Sequence, residues 1–154
     1  MKICVVVAAL ACVFGSICAA EAQEQGAKAI DAAWLKAIKA NDLEALVACY
    51  APDAVLWLPG APEARGAKTI RDAYAGMLAV NTVTDATIVN AVYQTSGDLS
   101  AGWGNFTLSL KPKNGGAPVV MKGRFIDVAK KVGGKWAYVS DHASSDPPPP
   151  APPK

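Results

Sequence analysis

At Asn81 the hydrophobic period of this chain changes, and that change limits the folds open to it more than any other feature. Before it, apolar residues recur every three to four positions. Ile30, Trp34, Leu35 and Ile38 form one stripe over Ala27 to Lys39, between Lys, Asp and Ala positions, which predicts an amphipathic helix. "NDLEALVACY" then breaks the pattern and restarts it. Asn41 tolerates the left-handed conformation that ends a helix, and Asp42 is placed to cap a second, short one carrying Leu43, Leu46, Val47 and Tyr50. Pro52 and Asp53 read as a turn, Val55 to Leu58 as a short strand ended by Pro59-Gly60, and Ala67 to Ala79 as a third helix with Ile70, Tyr74, Met77 and Leu78 on one side.

Beyond Asn81, "TVTDATIVNAVYQTS", "LSAGWGNFTLSLKP", "APVVMKGRFIDVAKK" and "KWAYVSDHAS" are β-like segments separated by "SGD", "KNGG" and "VGG", turns of hairpin length. Three helices grouped first and a long meander last predict an α+β domain, a cone-shaped fold of three N-terminal helices packed on a curved antiparallel β-sheet with a cavity between them. "GWG" at 102–104 reads as a bend in a long strand, where glycine permits a bulge beside Trp103.

Both ends of the chain differ from this domain. "MKICVVVAALACVFGSICAAEAQEQ" has one basic residue, an apolar run and then small residues, which predicts a signal peptide over 1–22, cleaved after Ala22 or else after Ala20. A secreted or periplasmic protein with no membrane segment after cleavage is the expectation. Three of the four cysteines lie in that segment, so only Cys49 stays, as a buried small hydrophobe with no partner for an intramolecular disulfide. "SSDPPPPAPPK" holds six of the 11 prolines and predicts an extended tail over 147–154, which leaves a domain of 23–146.

A net charge of +2 with scattered lysines argues against nucleic acid as a partner. One histidine and no cysteine pair in the mature chain leave no conventional zinc site, and no glycine-rich phosphate loop follows a strand, so no metal or cofactor is expected. A small organic molecule is the expected partner. The candidate ligand-binding residues are the aromatic Trp34, Trp57, Tyr74 and Trp103 with the polar Arg124 and Asp127; Asp141 and His142 are the candidate catalytic residues. Strict alternation puts Trp136, Tyr138, Ser140 and His142 on one face and Ala137, Val139, Asp141 and Ala143 on the other. Asp141 and His142 are therefore not expected to act together unless a bulge intervenes, and Arg124 or Lys122 on the neighbouring strand is a possible partner for Asp141.

In order and spacing, four strings resemble the nuclear-transport-factor-2-like superfamily in its SnoaL-like branch: "AWLKAIKANDLEALVACYAPDAVLWLPG", "RGAKTIRDAYAGML", "GRFIDVAKKVGGKW" and "VSDHASSDP". The last two are also similar to the association domain of calcium/calmodulin-dependent kinase II. The resemblance covers about residues 27 to 146 and implies the cone-shaped fold and homodimerisation through the outer sheet face. Function does not follow from it, because one scaffold hosts many chemistries. In the ketosteroid isomerases of that superfamily, an aspartate base works with a tyrosine and a protonated aspartate. Aligned on the first string, the base position falls on Leu58, the tyrosine position on Trp34 and the later acid near Arg124 to Ile126, so that residue set is absent. Three functions stay open: a ligand-binding protein, a lyase or isomerase using Asp141 or His142 as general base with Arg124 steadying an anion, and a non-catalytic interaction module.

Overall fold

A computed structural model describes residues 25–147. The signal peptide expected over 1–22 and the proline tail from residue 148 onward lie outside the described residues. The elements run α1 (Ala27–Ala40), α2 (Leu43–Val47), β1 (Tyr50–Trp57), β2 (Ala64–Arg65), α3 (Ala67–Val80), β3 (Asn81–Ser96), β4 (Leu99–Pro112), β5 (Val119–Val132) and β6 (Lys135–Ser145).

Local chemistry accounts for the helix ends. Asn41 takes the left-handed conformation at φ 54° and stops α1, and its side chain then clamps that end to β3: Nδ2 donates to the Val83 carbonyl at 2.9 Å and Oδ1 accepts from the Val83 amide at 2.7 Å. The Asp42 carboxylate accepts from the Ala45 amide at 3.0 Å and starts α2. α3 gives way directly to β3 at Asn81, where the period of the sequence changes.

The strands form one curved, unclosed sheet in the order β2-β1-β6-β5-β4-β3. β3 to β6 make the antiparallel meander that the turn signals predict. The sheet as a whole is mixed, since β1 pairs in parallel with β6. A parallel pair needs a long connection, and β2, α3 and strands β3 to β5 lie between these two strands. Strand β1 also starts earlier than expected. Pro52 and Asp53 do not turn the chain; they sit exposed inside β1 at a register shift between Tyr50 and Val55.

In the expected bend at 102–104, β4 pairs with β5 residue by residue without a bulge. The irregularity lies on the opposite strand, between Val89 and Val92, with Asn90 at φ 53°. Gly104 makes room for it: a Cβ there would stand 3.0 Å from the Ala91 Cα and the Val89 carbonyl.

Ile38, Leu46, Leu56 and Ile70 are fully buried between the helices and the concave face of the sheet, each contributing roughly 1.5–3 kcal/mol relative to exposure. Cys49 is buried there too, its thiol pushed up to about 11 by burial and then by the charges of Asp141 and Asp31.

Candidate functional site

A cavity of about 560 Å³ opens between α1, α3 and the concave sheet face. Its walls are largely apolar, with Met77, Phe106, Leu108, Leu110 and Phe125 among them, and the exposed residues Ala61, Pro62 and Glu63 form a rim. The polar groups converge from α1 and from one cross-strand row. Tyr93 of β3 stands opposite Gly102 of β4, Gly102 opposite Asp127 of β5, and Asp127 opposite Asp141 of β6. Directly opposed residues share a face at roughly 4.5–5.5 Å between Cβ atoms. The row therefore places two carboxyl groups side by side, and α1 adds a third, Asp31.

Hydroxyl groups hold two of these acids. The Trp34 indole N–H donates to the Tyr74 hydroxyl at 2.9 Å, the Tyr74 and Tyr50 hydroxyls stand 2.6 Å apart, and Tyr50 donates to Asp141 Oδ2 at 2.6 Å. Because the Tyr50 proton goes to Asp141, the bond between the two phenols is donated by Tyr74. Asp31 accepts from Tyr93 at 2.8 Å and from Tyr138. Asp127 differs, for it is 2% exposed and neither of its carboxyl oxygens has a hydrogen-bond partner among the described residues. The Gly102 amide and the Asp31 carboxyl lie close enough to affect its titration without meeting it in hydrogen-bond geometry. Glycine is needed at 102, since a Cβ there would stand 3.0 Å from both Asp127 oxygens and from the Tyr93 ring.

Burial sets the protonation of the cluster. Desolvation, then the charges of Asp31 and Asp141, push Asp127 up to about 9. Asp141 is raised to about 6 by desolvation, opposed by the Tyr50 hydrogen bond and reinforced by Asp31. Asp31 is raised by desolvation against the pull of its tyrosine donors. Burial, with the nearby carboxylates, holds Tyr50, Tyr74 and Tyr138 above the ordinary phenol range and keeps them neutral donors. At neutral pH, Asp127 is protonated and Asp141 is largely ionised. A carboxylate that titrates near neutrality inside an apolar cavity is suited to accept a proton.

The structure disperses the residues singled out from sequence. Trp34, Tyr74, Asp127 and Asp141 line the cavity. Trp57 and His142 lie on the outer sheet face, opposite each other in register with ring centroids 6.0 Å apart, and the Trp57 indole donates to Glu63 at 3.1 Å. Trp103 faces outward opposite Ile126. Arg124 is also on the outer face, exposed and 3.3 Å from Asp146. It therefore neither pairs with Asp141 nor steadies an anion in the cavity; the residue opposite Asp141 is another acid. Tyr138 departs from simple alternation. A register shift between Val128 and Ala129 inserts one residue of β6 and brings Tyr138 into the cavity with Asp141, leaving His142 outside.

Asp31, Tyr50, Tyr93 and Tyr138 escaped the sequence reading. For Asp31 a signal exists: Ala27, Ile30, Asp31, Trp34 and Ile38 follow helical spacing, and an acid within a buried stripe needs a reason. Tyr50, Tyr93 and Tyr138 carry no such mark.

No curated protein matches the chain. Several solved structures share its fold. One, from Xanthomonas campestris, bears the description calcium/calmodulin dependent protein kinase II association domain; it is 23% identical, with a TM-score of 0.69 over 78% of this chain and 85% of that one. A ketosteroid isomerase-like protein from Erwinia carotovora atroseptica is 24% identical, with a TM-score of 0.69 over 79% of this chain and 94% of that one. A conserved protein from Planctomyces limnophilus is 19% identical, with a TM-score of 0.66 over 78% and 93%. At these identities the likeness speaks to the fold alone. The SnoaL-like domain profile matches residues 32–139, most of the chain, from just after Asp31 in α1 to just before Asp141 in β6, and the chain belongs to the SnoaL-like domain family.

Proposed function

We propose that this protein binds a small, largely apolar organic molecule in the cavity between helices and sheet, and that Asp141 accepts a proton from it in an isomerase or lyase type of reaction. The observation that carries this reading is the convergence of Asp141, Asp127 and the tyrosine hydroxyls in an otherwise apolar cavity. Such a site is the usual form of a small-molecule pocket. Trp34, Tyr74 and Tyr50 fix the Asp141 carboxylate by the chain of donated hydrogen bonds, and the apolar walls exclude water from the reacting group.

Proton abstraction from carbon leaves a direct trace. Candidate ligands incubated with the protein in D₂O should exchange an acidic C–H for deuterium, read by NMR. Asp141→Asn should slow that exchange by roughly 10²-fold or more, whereas His142→Ala should leave it unchanged. Equal exchange by wild type and Asp141→Asn would remove Asp141 from the chemistry. A cavity-filling Ala143→Phe variant that bound ligands as well as the parent would remove the cavity itself.

The outer sheet face supports a second, compatible proposal, a homodimer. Trp57, His142, Ile126, Trp103 and Val92 are successive cross-strand neighbours and form a stripe across five strands. Ile126 is 52% exposed and Val92 46%. An apolar stripe of this kind marks an association surface, and a two-fold axis through it would let one patch cover its copy. Light scattering should give twice the monomer mass, and Ile126→Lys should halve it. A wild-type protein that is monomeric at high micromolar concentration would refute the dimer.

A further inference from the structure

Hydrogen bonds around the cavity are distributed unevenly between donors and acceptors. The indole and phenol donors are engaged within the protein, the Trp34 indole with Tyr74, the Tyr74 and Tyr50 hydroxyls in the chain that ends on Asp141, and the Tyr93 and Tyr138 hydroxyls on Asp31, so the donor of this cluster left without a partner is the dissociable O–H of protonated Asp127. Acceptors are left over. Asp141 uses only Oδ2, and Asp127, 2% exposed and lining the cavity, uses neither oxygen. The charges are equally one-sided. Asp31, Asp127 and Asp141 line the cavity with no Lys, Arg or His among the described residues that do, and the rim residue Glu63 is already paired with Arg65 at 3.1 Å.

Buried acids without a counter-charge or a donor are unfavourable unless something supplies both. Like charges directly opposite on neighbouring strands are unfavourable as well, yet Asp127 and Asp141 occupy such positions, and Gly102 leaves the space that the Asp127 carboxyl fills. Resting on the reading of this cavity as a ligand site, we infer that its ligand is an organic cation, a hydrophobic amine whose ammonium group sits between Asp141 and Asp127 while its apolar body lies against Phe106, Leu108 and Phe125. An ammonium group offers three donors and a positive charge, which fits the unused acceptors and the unbalanced charge together. The aromatic walls add favourable cation–π contacts. In the empty protein Asp127 holds a proton; an ammonium arriving beside it takes over the role of counter-charge, and the carboxyl releases that proton to solvent. Carboxylate ligands meet repulsion from every side of the cluster.

The test uses three probes with one apolar body: 2-(1-naphthyl)ethylamine, 2-(1-naphthyl)ethanol and 1-naphthylacetate. Binding to the purified full-length chain is followed by calorimetry at pH 7.5 in buffers of different ionisation enthalpy. The amine should bind at least tenfold more tightly than the alcohol, with release of a proton to buffer that the alcohol does not cause, and the acetate should not bind. Asp127→Asn and Asp141→Asn should each weaken the amine at least tenfold and leave the alcohol within threefold. The ranking of the three probes on the wild-type protein decides the matter even where a variant fails to fold. An alcohol or acetate that bound as tightly as the amine would overturn the assignment of a cation and leave the cavity as a ligand site. If none of the three bound, the reading of the cavity as a ligand site would fall, and this inference with it.

Discussion

Asp127→Asn should make the protein more stable at pH 8, by roughly 2–4 kcal/mol, although it replaces a buried acid of the cavity. Asp127 is almost fully buried and has no hydrogen-bond partner among the described residues, and its carboxyl is pushed up to about 9 by desolvation and by Asp31 and Asp141. In the unfolded chain it ionises near the ordinary aspartate value of about 4. Between those limits the folded state holds the proton and the unfolded state does not, so stability falls as pH rises from about 4 to about 9. Each pH unit in that window amounts to at most about 1.4 kcal/mol, and sharing of protons among three neighbouring carboxyls reduces the sum. The raised values of Asp31 and Asp141 act in the same direction, the latter below about pH 6. Asparagine keeps the shape of the protonated acid and has nothing to ionise. Thermal unfolding from pH 4 to 9 should therefore show a wild-type midpoint that declines with pH and a flatter profile for Asp127→Asn, about 10 °C higher at pH 8. Equal slopes for the two proteins would mean that Asp127 ionises freely in the folded state.

Tyr74 should separate the packing role of the aromatic cluster from its polar role. The side chain is 1% exposed, its ring centroid lies 5.9 Å from that of Tyr50, and its hydroxyl joins Trp34 to Tyr50. Tyr74→Ala removes the ring from the junction of α3, α1 and β1 and should destabilise by about 3–5 kcal/mol, as for other large aromatic truncations. Tyr74→Phe keeps the ring and deletes one link of the donor chain, leaving the Trp34 N–H and the Tyr50 oxygen without a partner, and should lose only about 1–2 kcal/mol. Chemical denaturation of the two variants measures the difference. Near-equal losses would show that the hydrogen-bond chain, and not the packed ring, is what stabilises this corner.

Asp127 and Tyr74 contribute to the cavity in opposite senses. Asp127 is a place where the fold gives up stability, and proteins retain such places where a site needs them. Tyr74 belongs to the scaffold that keeps the acids in position. A protein selected for stability alone would place a hydrophobic residue opposite Asp141.

Sequence alone determined the order of the helices and the four long strands, the stop at Asn41, the cap at Asp42 and the hairpin spacing of the meander, but not the short β2, because each of the former follows from residues within a few positions of one another. It also separated Asp141 from His142, since neighbours on a strand face opposite ways. Tertiary structure decided the rest. Whether β1 runs parallel or antiparallel depends on which strand it meets, and β6 is far away in the chain. The register shift that turns Tyr138 inward depends on pairing with β5. The site itself joins Asp31 of α1, Tyr50 of β1, Tyr74 of α3, Asp127 of β5 and Asp141 of β6, five elements brought together by burial of apolar faces that say nothing about which acids will meet. Of the candidates on strands, Trp57, Trp103, Arg124 and His142 belong to the other side of the sheet and Asp127 and Asp141 to the cavity, because a strand shows every second residue to the cavity and only pairing fixes which half that is.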